Sequence, residues 1–117
     1  MCLSKQDPYY NCYTQVLGRK RVWLAAPTAG AYMYAHGSEP PASREEDGLA
    51  TSYATNTSKV PVFDSDRRTF PGFMTHVEPV SMEGVLEPGD MLFIPPGWWH
   101  AMRGEGSEVA WSVSMWF

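Results

Sequence analysis

Between Leu86 and His100 the chain reads Leu-Glu-Pro-Gly-Asp-Met-Leu-Phe-Ile-Pro-Pro-Gly-Trp-Trp-His. A Pro-Gly-Asp turn feeds a short apolar run, and a Pro-Pro-Gly turn redirects the chain into a second run carrying one histidine among tryptophans. Proline cannot donate to a central ladder and glycine adopts the left-handed backbone of tight turns, so this punctuation favours short strands. Ten prolines and ten glycines spread the same pattern over 117 residues, as an all-β fold needs. Imidazole is the commonest metal ligand, so a histidine on a strand is a candidate ligand as well as a candidate core residue with a satisfied hydrogen bond.

Strands are expected at about residues 12–17, 20–26, 58–63, 82–86, 90–95, 98–103 and 108–116. In the last of these, Val109, Trp111, Val113 and Met115 share one face, and Ala110, Ser112, Ser114 and Trp116 share the other. One greasy face and one mixed face fit a sandwich wall beside a lined cavity. Residues 28–56 are rich in Ala, Gly, Ser, Thr and Pro and read as a surface insertion, within which Ser43-Arg44-Glu45-Glu46 has capping-box spacing. The length fits one domain, residues 1–117, and a hydrophobic content of 44% supports a real core.

No apolar run approaches the ~18 residues of a membrane span, so no membrane association is expected. Two cysteines, Cys2 and Cys12, are too few for a disulfide scaffold and read as reduced thiols in a cytoplasmic or nuclear protein. A net charge of −4 argues against non-specific nucleic-acid binding and suits a basic peptide partner.

The block Leu86–His100 acquires a second meaning beside Asp7-Pro8-Tyr9-Tyr10-Asn11 and the following Cys12–Leu24. Together with the final strand to Phe117, and more loosely with Asn56–Phe73, these segments resemble the jumonji-C (cupin-like) family of Fe(II)- and 2-oxoglutarate-dependent oxygenases, in particular its small protein-hydroxylase branch. The resemblance implies a double-stranded β-helix, or jelly roll. It also implies further strands upstream of Asp7, so a jelly roll lacking its first strand is expected here. Such enzymes hold the metal on one face with two histidines and one carboxylate. By resemblance Asp7 is the carboxylate, His100 the distal histidine, and the first histidine of a His-x-Asp pair belongs two residues before Asp7.

Lys5 occupies that position. An ammonium has no lone pair and places a positive charge beside a dication. Gln6 lies on the opposite face of a regular strand, and Cys2 is out of phase with Asp7. The expectation is a degraded metal site with two ligands. The cosubstrate positions are kept. Asn11 and Lys20 fall where the family places its 2-oxoglutarate-binding asparagine and lysine, and Trp116 falls on the strand that walls that pocket. Physically, a dicarboxylate entering an apolar barrel needs a cation and a neutral donor.

The remaining candidates read as structure. Trp98 shares the face of His100 while Trp99 points away, and Trp23, Trp99 and Trp111 read as core aromatics. Tyr10 and Tyr13 are both within reach of the pocket. Arg19 and Arg21 read as surface charges, His36 and His76 as surface or packing histidines, and Asp64, Asp66, Arg67 and Arg68 as a charged loop. Two functions remain open. One is an oxygenase domain that hydroxylates or demethylates a protein side chain, with a degraded metal site. The other is a catalytically inactive binding module, or a gene-model fragment, on the same fold.

Overall fold

The computed structural model describes residues 3–35, 56–64, 67–106 and 109–117. Cys2, His36, Asp66 and the Ser43–Glu46 capping sequence lie outside the described residues. The strands are β1 (Lys5–Gln6), β2 (Asn11–Leu17), β3 (Arg19–Ala25), β4 (Met82–Leu86), β5 (Met91–Ile94), β6 (Trp99–Glu105) and β7 (Trp111–Trp116), and Pro71–His76 forms one helix, α1. They make two antiparallel sheets, ordered β1-β6-β3-β4 and β5-β2-β7. From β4 onward each strand crosses to the other sheet, as in a jelly roll.

Those crossings are built by turn chemistry. At Leu17-Gly18-Arg19 the chain leaves one sheet for the other, with Gly18 at φ 69° and Val109 O only 2.6 Å from where a Cβ would sit. Buried Gln15 secures the crossing, since its Nε2 donates to Leu17 O at 2.7 Å and its Oε1 accepts from Ser112 Oγ at 2.6 Å. In the Pro88-Gly89-Asp90 turn, Glu87 N donates to Asp90 Oδ2 at 2.8 Å.

The β1-β6-β3-β4 sheet separates two apolar regions. On one side Trp23, Ala25, Trp99 and Ala101 pack against Ala29, Met33, Val60, Val62, Phe73 and Val77, which form the main core. On the other side Val22 and Leu86 meet Tyr13 of the opposite sheet, with Leu92 and Met102 alongside, and leave a cleft between the sheets. The outer face of β5-β2-β7 carries the exposed Met91, Phe93, Val113 and Met115.

Several expectations change. Residues 58–63 form no strand: Thr57 and Ser58 make isolated bridges to Lys5 and Ala35, and the chain then turns at Pro61, which has no N–H to extend a ladder. Val60 and Val62 are apolar because they plug the core. The start of the 28–56 segment is not surface material, since residues 27–32 form a 3₁₀ helix that delivers Ala29 and Met33 to the core. Trp111 is no core residue: at 61% exposure it belongs to the outer face, and the mixed face of β7 is the one that meets the cleft. Helix α1 was legible only as Pro71, which suits a first helical turn.

Phe73 is fully buried on α1, with its ring centroid 5.8 Å from that of Trp23. Phe73→Ala should therefore lower unfolding free energy by about 3–5 kcal/mol. Exposed Val80→Ala should stay within about 0.5 kcal/mol by the same urea titration.

Candidate functional site

A two-residue strand makes the site. In β1, Lys5 lies opposite His100 and Gln6 opposite Trp99 on the edge of β6. The Pro95-Pro96-Gly97 turn then clamps the next residue: Gly97 N donates to Asp7 O at 2.9 Å, and Gln6 Nε2 donates to Gly97 O at 2.8 Å. Gly97 can do this because it sits at φ 82°, a left-handed conformation natural to glycine. Asp7 is thereby held beside His100, with Asp7 Oδ2 3.5 Å from His100 Nε2.

The protonation of this pair follows from its surroundings. His100 Nδ1 lies 3.2 Å from Trp98 O, and a carbonyl can only accept, so Nδ1 carries the proton of that hydrogen bond. Burial lowers the pKa of His100 below its usual value; the Trp98 carbonyl and Asp7 oppose this shift, and Lys5 adds to it. The neutral ring therefore turns a lone pair at Nε2 toward Asp7. Asp7 Oδ2 is itself buried without a hydrogen-bond partner. An imidazole nitrogen and a carboxylate oxygen that face each other across 3.5 Å could hold a metal ion between them.

They line a cleft of about 190 Å³ together with Leu3, Lys5, Asn11, Tyr13, Ser114 and Trp116. At about 30 Å³ per water in the liquid, that is room for roughly six waters or one small dicarboxylate. Asn11 is buried, and its Oδ1 has no partner. The Tyr13 hydroxyl accepts from Lys20 Nζ at 2.8 Å, so the Lys20 charge reaches the cleft through Tyr13, and Lys20 itself does not line it. Trp116 forms the far wall, with Lys5 Nζ 6.0 Å from its ring centroid.

The predicted site residues Asp7, His100, Asn11 and Trp116 thus share one cleft, with Lys20 one hydroxyl behind it. Of the two tyrosines, Tyr13 faces the cleft, and Tyr10 stacks on Phe93 and Phe117 outside it. Trp98 contributes its carbonyl to His100, while Trp99 is in the main core. Ser114 was read only as part of a mixed strand face, although period-2 alternation with Trp116 places it on the cleft wall. Arg21 is more than a surface charge: it pairs with Glu105 and, at 3.6 Å, with Glu83, tying three strands together. His76 packs on Tyr32, and Asp64 pairs with Arg103.

A profile of the cupin-like domain family matches residues 3–117. The chain belongs to the cupin-like, jumonji-C family. It is similar to the jumonji C domain-containing protein 5 of Drosophila melanogaster, 34% identical over 111 residues, which make up 95% of this chain and 23% of that protein. Lysine-specific demethylase 8 of Xenopus tropicalis is 34% identical over 114 residues, 96% of this chain and 21% of its own length. The tRNA wybutosine-synthesizing protein 5 of Danio rerio is 34% identical over 110 residues, 90% of this chain and 27% of that protein. The chain therefore spans about a quarter or less of these relatives.

The family is one of 2-oxoglutarate-dependent oxygenases, and its three-ligand iron centre can be tested against these side chains. Asp7 and His100 offer a carboxylate and an imidazole that suit it, whereas Lys5, which lines the same cleft, offers an ammonium with no lone pair. Among the described residues no group of three or more His, Cys, Asp or Glu side chains could hold a metal ion.

The neutral state of His100 has a measurable consequence. Its pKa is lowered in the folded chain, so below about pH 6.5 the unfolded chain binds a proton that the native site resists. This contribution to stability is complete above that pH and is lost as pH falls. Comparing urea midpoints at about pH 7.5 and about pH 5.5, the native chain should lose more stability than His100→Asn, which lacks the titrating group.

Proposed function

We propose that this chain is a domain of the Fe(II)- and 2-oxoglutarate-dependent oxygenases that modify protein side chains by hydroxylation or demethylation, and that its metal centre is degraded to two ligands. The observation that carries this reading is the meeting of Asp7 and His100 at 3.5 Å on the wall of a cleft that Lys5 also lines. As it stands, the chain binds 2-oxoglutarate but supports little oxygenation.

Each side chain has a task in that reading. The Trp98 carbonyl fixes the His100 tautomer, and the Gly97 amide fixes the Asp7 backbone. Lys20 and the Tyr13 hydroxyl offer a charge-assisted donor pair for the far carboxylate of the cosubstrate. Asn11 and Ser114 supply neutral polar contacts, and Trp116 gives an apolar wall. With iron bound, a family member would couple the decarboxylation of 2-oxoglutarate by oxygen, which gives succinate and carbon dioxide, to insertion of the other oxygen atom into a substrate C–H bond; nothing in this donor set completes the iron site.

A protein substrate is favoured by the lysine-specific demethylases among the relatives. A relative named for tRNA wybutosine synthesis raises RNA as a second class, but the net charge of −4 provides no general phosphate-binding surface. Among the described residues no helix is long and apolar enough to cross a membrane. Its two cysteines, too few for a disulfide scaffold, support an intracellular protein, cytoplasmic or nuclear. The competing function is a non-catalytic interaction module on the same fold, which the Lys5 substitution favours over full activity.

The test is succinate release with Fe(II), 2-oxoglutarate and ascorbate, run on the native chain and on Lys5→His. Background turnover is expected for the native chain and a gain of about tenfold or more for the variant, since restoring the third ligand restores the coordination set. Robust turnover by the native chain would overturn the degraded-site reading.

A further inference from the structure

The lysine that removes a ligand also brings a charge. Lys5 lies opposite His100 in the β1–β6 ladder, lines the cleft, and reaches toward Trp116, with Nζ 6.0 Å from the ring centroid. A second ammonium, Lys20, stands behind the Tyr13 hydroxyl at 2.8 Å. The cleft thus has one cation on its wall at the Asp7–His100 end and another behind the wall at the Tyr13 end. Between them lie Asn11, with an unpartnered buried Oδ1, and Ser114. Among the described residues Asp7 is the one carboxylate lining the cleft, and it is turned to His100.

We propose that Lys5 takes over the electrostatic role of a metal, so that this cleft captures small dicarboxylates without any divalent cation, one carboxylate on Lys5 and the other on the Lys20–Tyr13 pair. The inference rests on the dicarboxylate pocket assigned above. It also predicts a change in selectivity. A metal ion gains from a 2-oxo acid because the ketone and the adjacent carboxylate oxygens chelate it together. An ammonium is a compact charge with three donors and no chelating geometry, so it recognises the carboxylate alone. The 2-oxo group then has no partner that values it. Glutarate, which has the same chain length and lacks the oxo group, should bind as well as 2-oxoglutarate.

The geometry favours a binding role for Lys5 over a purely structural one. Its side chain is exposed to solvent and contributes nothing to either apolar cluster, so replacing it should leave the fold in place. Trp116 offers the ammonium a ring at the outer limit of a cation–π contact, which keeps the charge at the cleft without neutralising it.

The experiment is calorimetric titration of the native chain, Lys5→Met, Lys5→Arg and Lys5→His with 2-oxoglutarate and with glutarate. Each titration is done once in EDTA and once with Mn(II), with thermal melts confirming that every variant is folded. The native chain should bind both ligands in EDTA with affinities within about threefold of each other, and Mn(II) should leave them unchanged. Lys5→Met should weaken both by about tenfold, the loss of one charge-assisted contact, while Lys5→Arg should keep them. Lys5→His should be weak in EDTA and should recover with Mn(II) for 2-oxoglutarate but not for glutarate. Binding by the native chain only with Mn(II), or equal binding by Lys5→Met, overturns the inference and leaves the pocket assignment standing. Absence of binding by every protein in both conditions overturns the pocket assignment itself.

Discussion

Everything at this site depends on one short antiparallel contact. Lys5 and Gln6 pair with the start of β6, and the Gly97 amide reaches the Asp7 carbonyl. This brings the beginning of the chain against its last third and sets a carboxylate beside an imidazole. A ladder of two residues is a weak element by itself. It is reinforced from the side: Asn56 Nδ2 donates to Gln6 O at 3.0 Å, Gln6 N to Asn56 O at 2.8 Å, and Ser58 N to Ser4 O at 2.8 Å. The residues after the 36–55 segment therefore hold β1 in place, although they contribute no side chain to the cleft lining.

Much of this was legible in the residues. Turn chemistry at Pro88–Asp90 and Pro95–Gly97 located β5 and β6, and alternation located β7. The meeting of Asp7 with His100 came from family spacing, since no local pattern pairs residues so distant in sequence. Residues 58–63 misled because Val60 and Val62 have strand-like spacing. A buried plug and a half-buried strand place apolar residues at the same intervals, and only tertiary contacts tell them apart. Trp111 misled for a related reason: a strand with one apolar face does not say which face meets the core. Here Ser114 and Trp116 face inward, because the cleft lies on that side of β7, and Val113 and Met115 face out.

The two sheets carry different burdens. One face of β1-β6-β3-β4 holds the main core and the other holds the site, so its strands are buried on both sides at Trp23, Ala25 and Trp99–Ala101. The β5-β2-β7 sheet walls the cleft with Asn11, Tyr13, Ser114 and Trp116 and turns Met91, Phe93, Val113 and Met115 outward. A contiguous apolar face of this kind is where soluble domains meet other surfaces. Its residues are interleaved with the cleft residues along the same strands.

Strand β6 shows the same interleaving on a finer scale. Trp99 and Ala101 are locked in the main core, and His100, between them, faces the cleft. His100 is itself buried, so a larger side chain here would have to displace its packed surroundings. Position 100 therefore accepts only side chains that fit the space already there, whereas the side chain at position 5 is exposed and tolerates exchange. The site is open at its rim and fixed at its base.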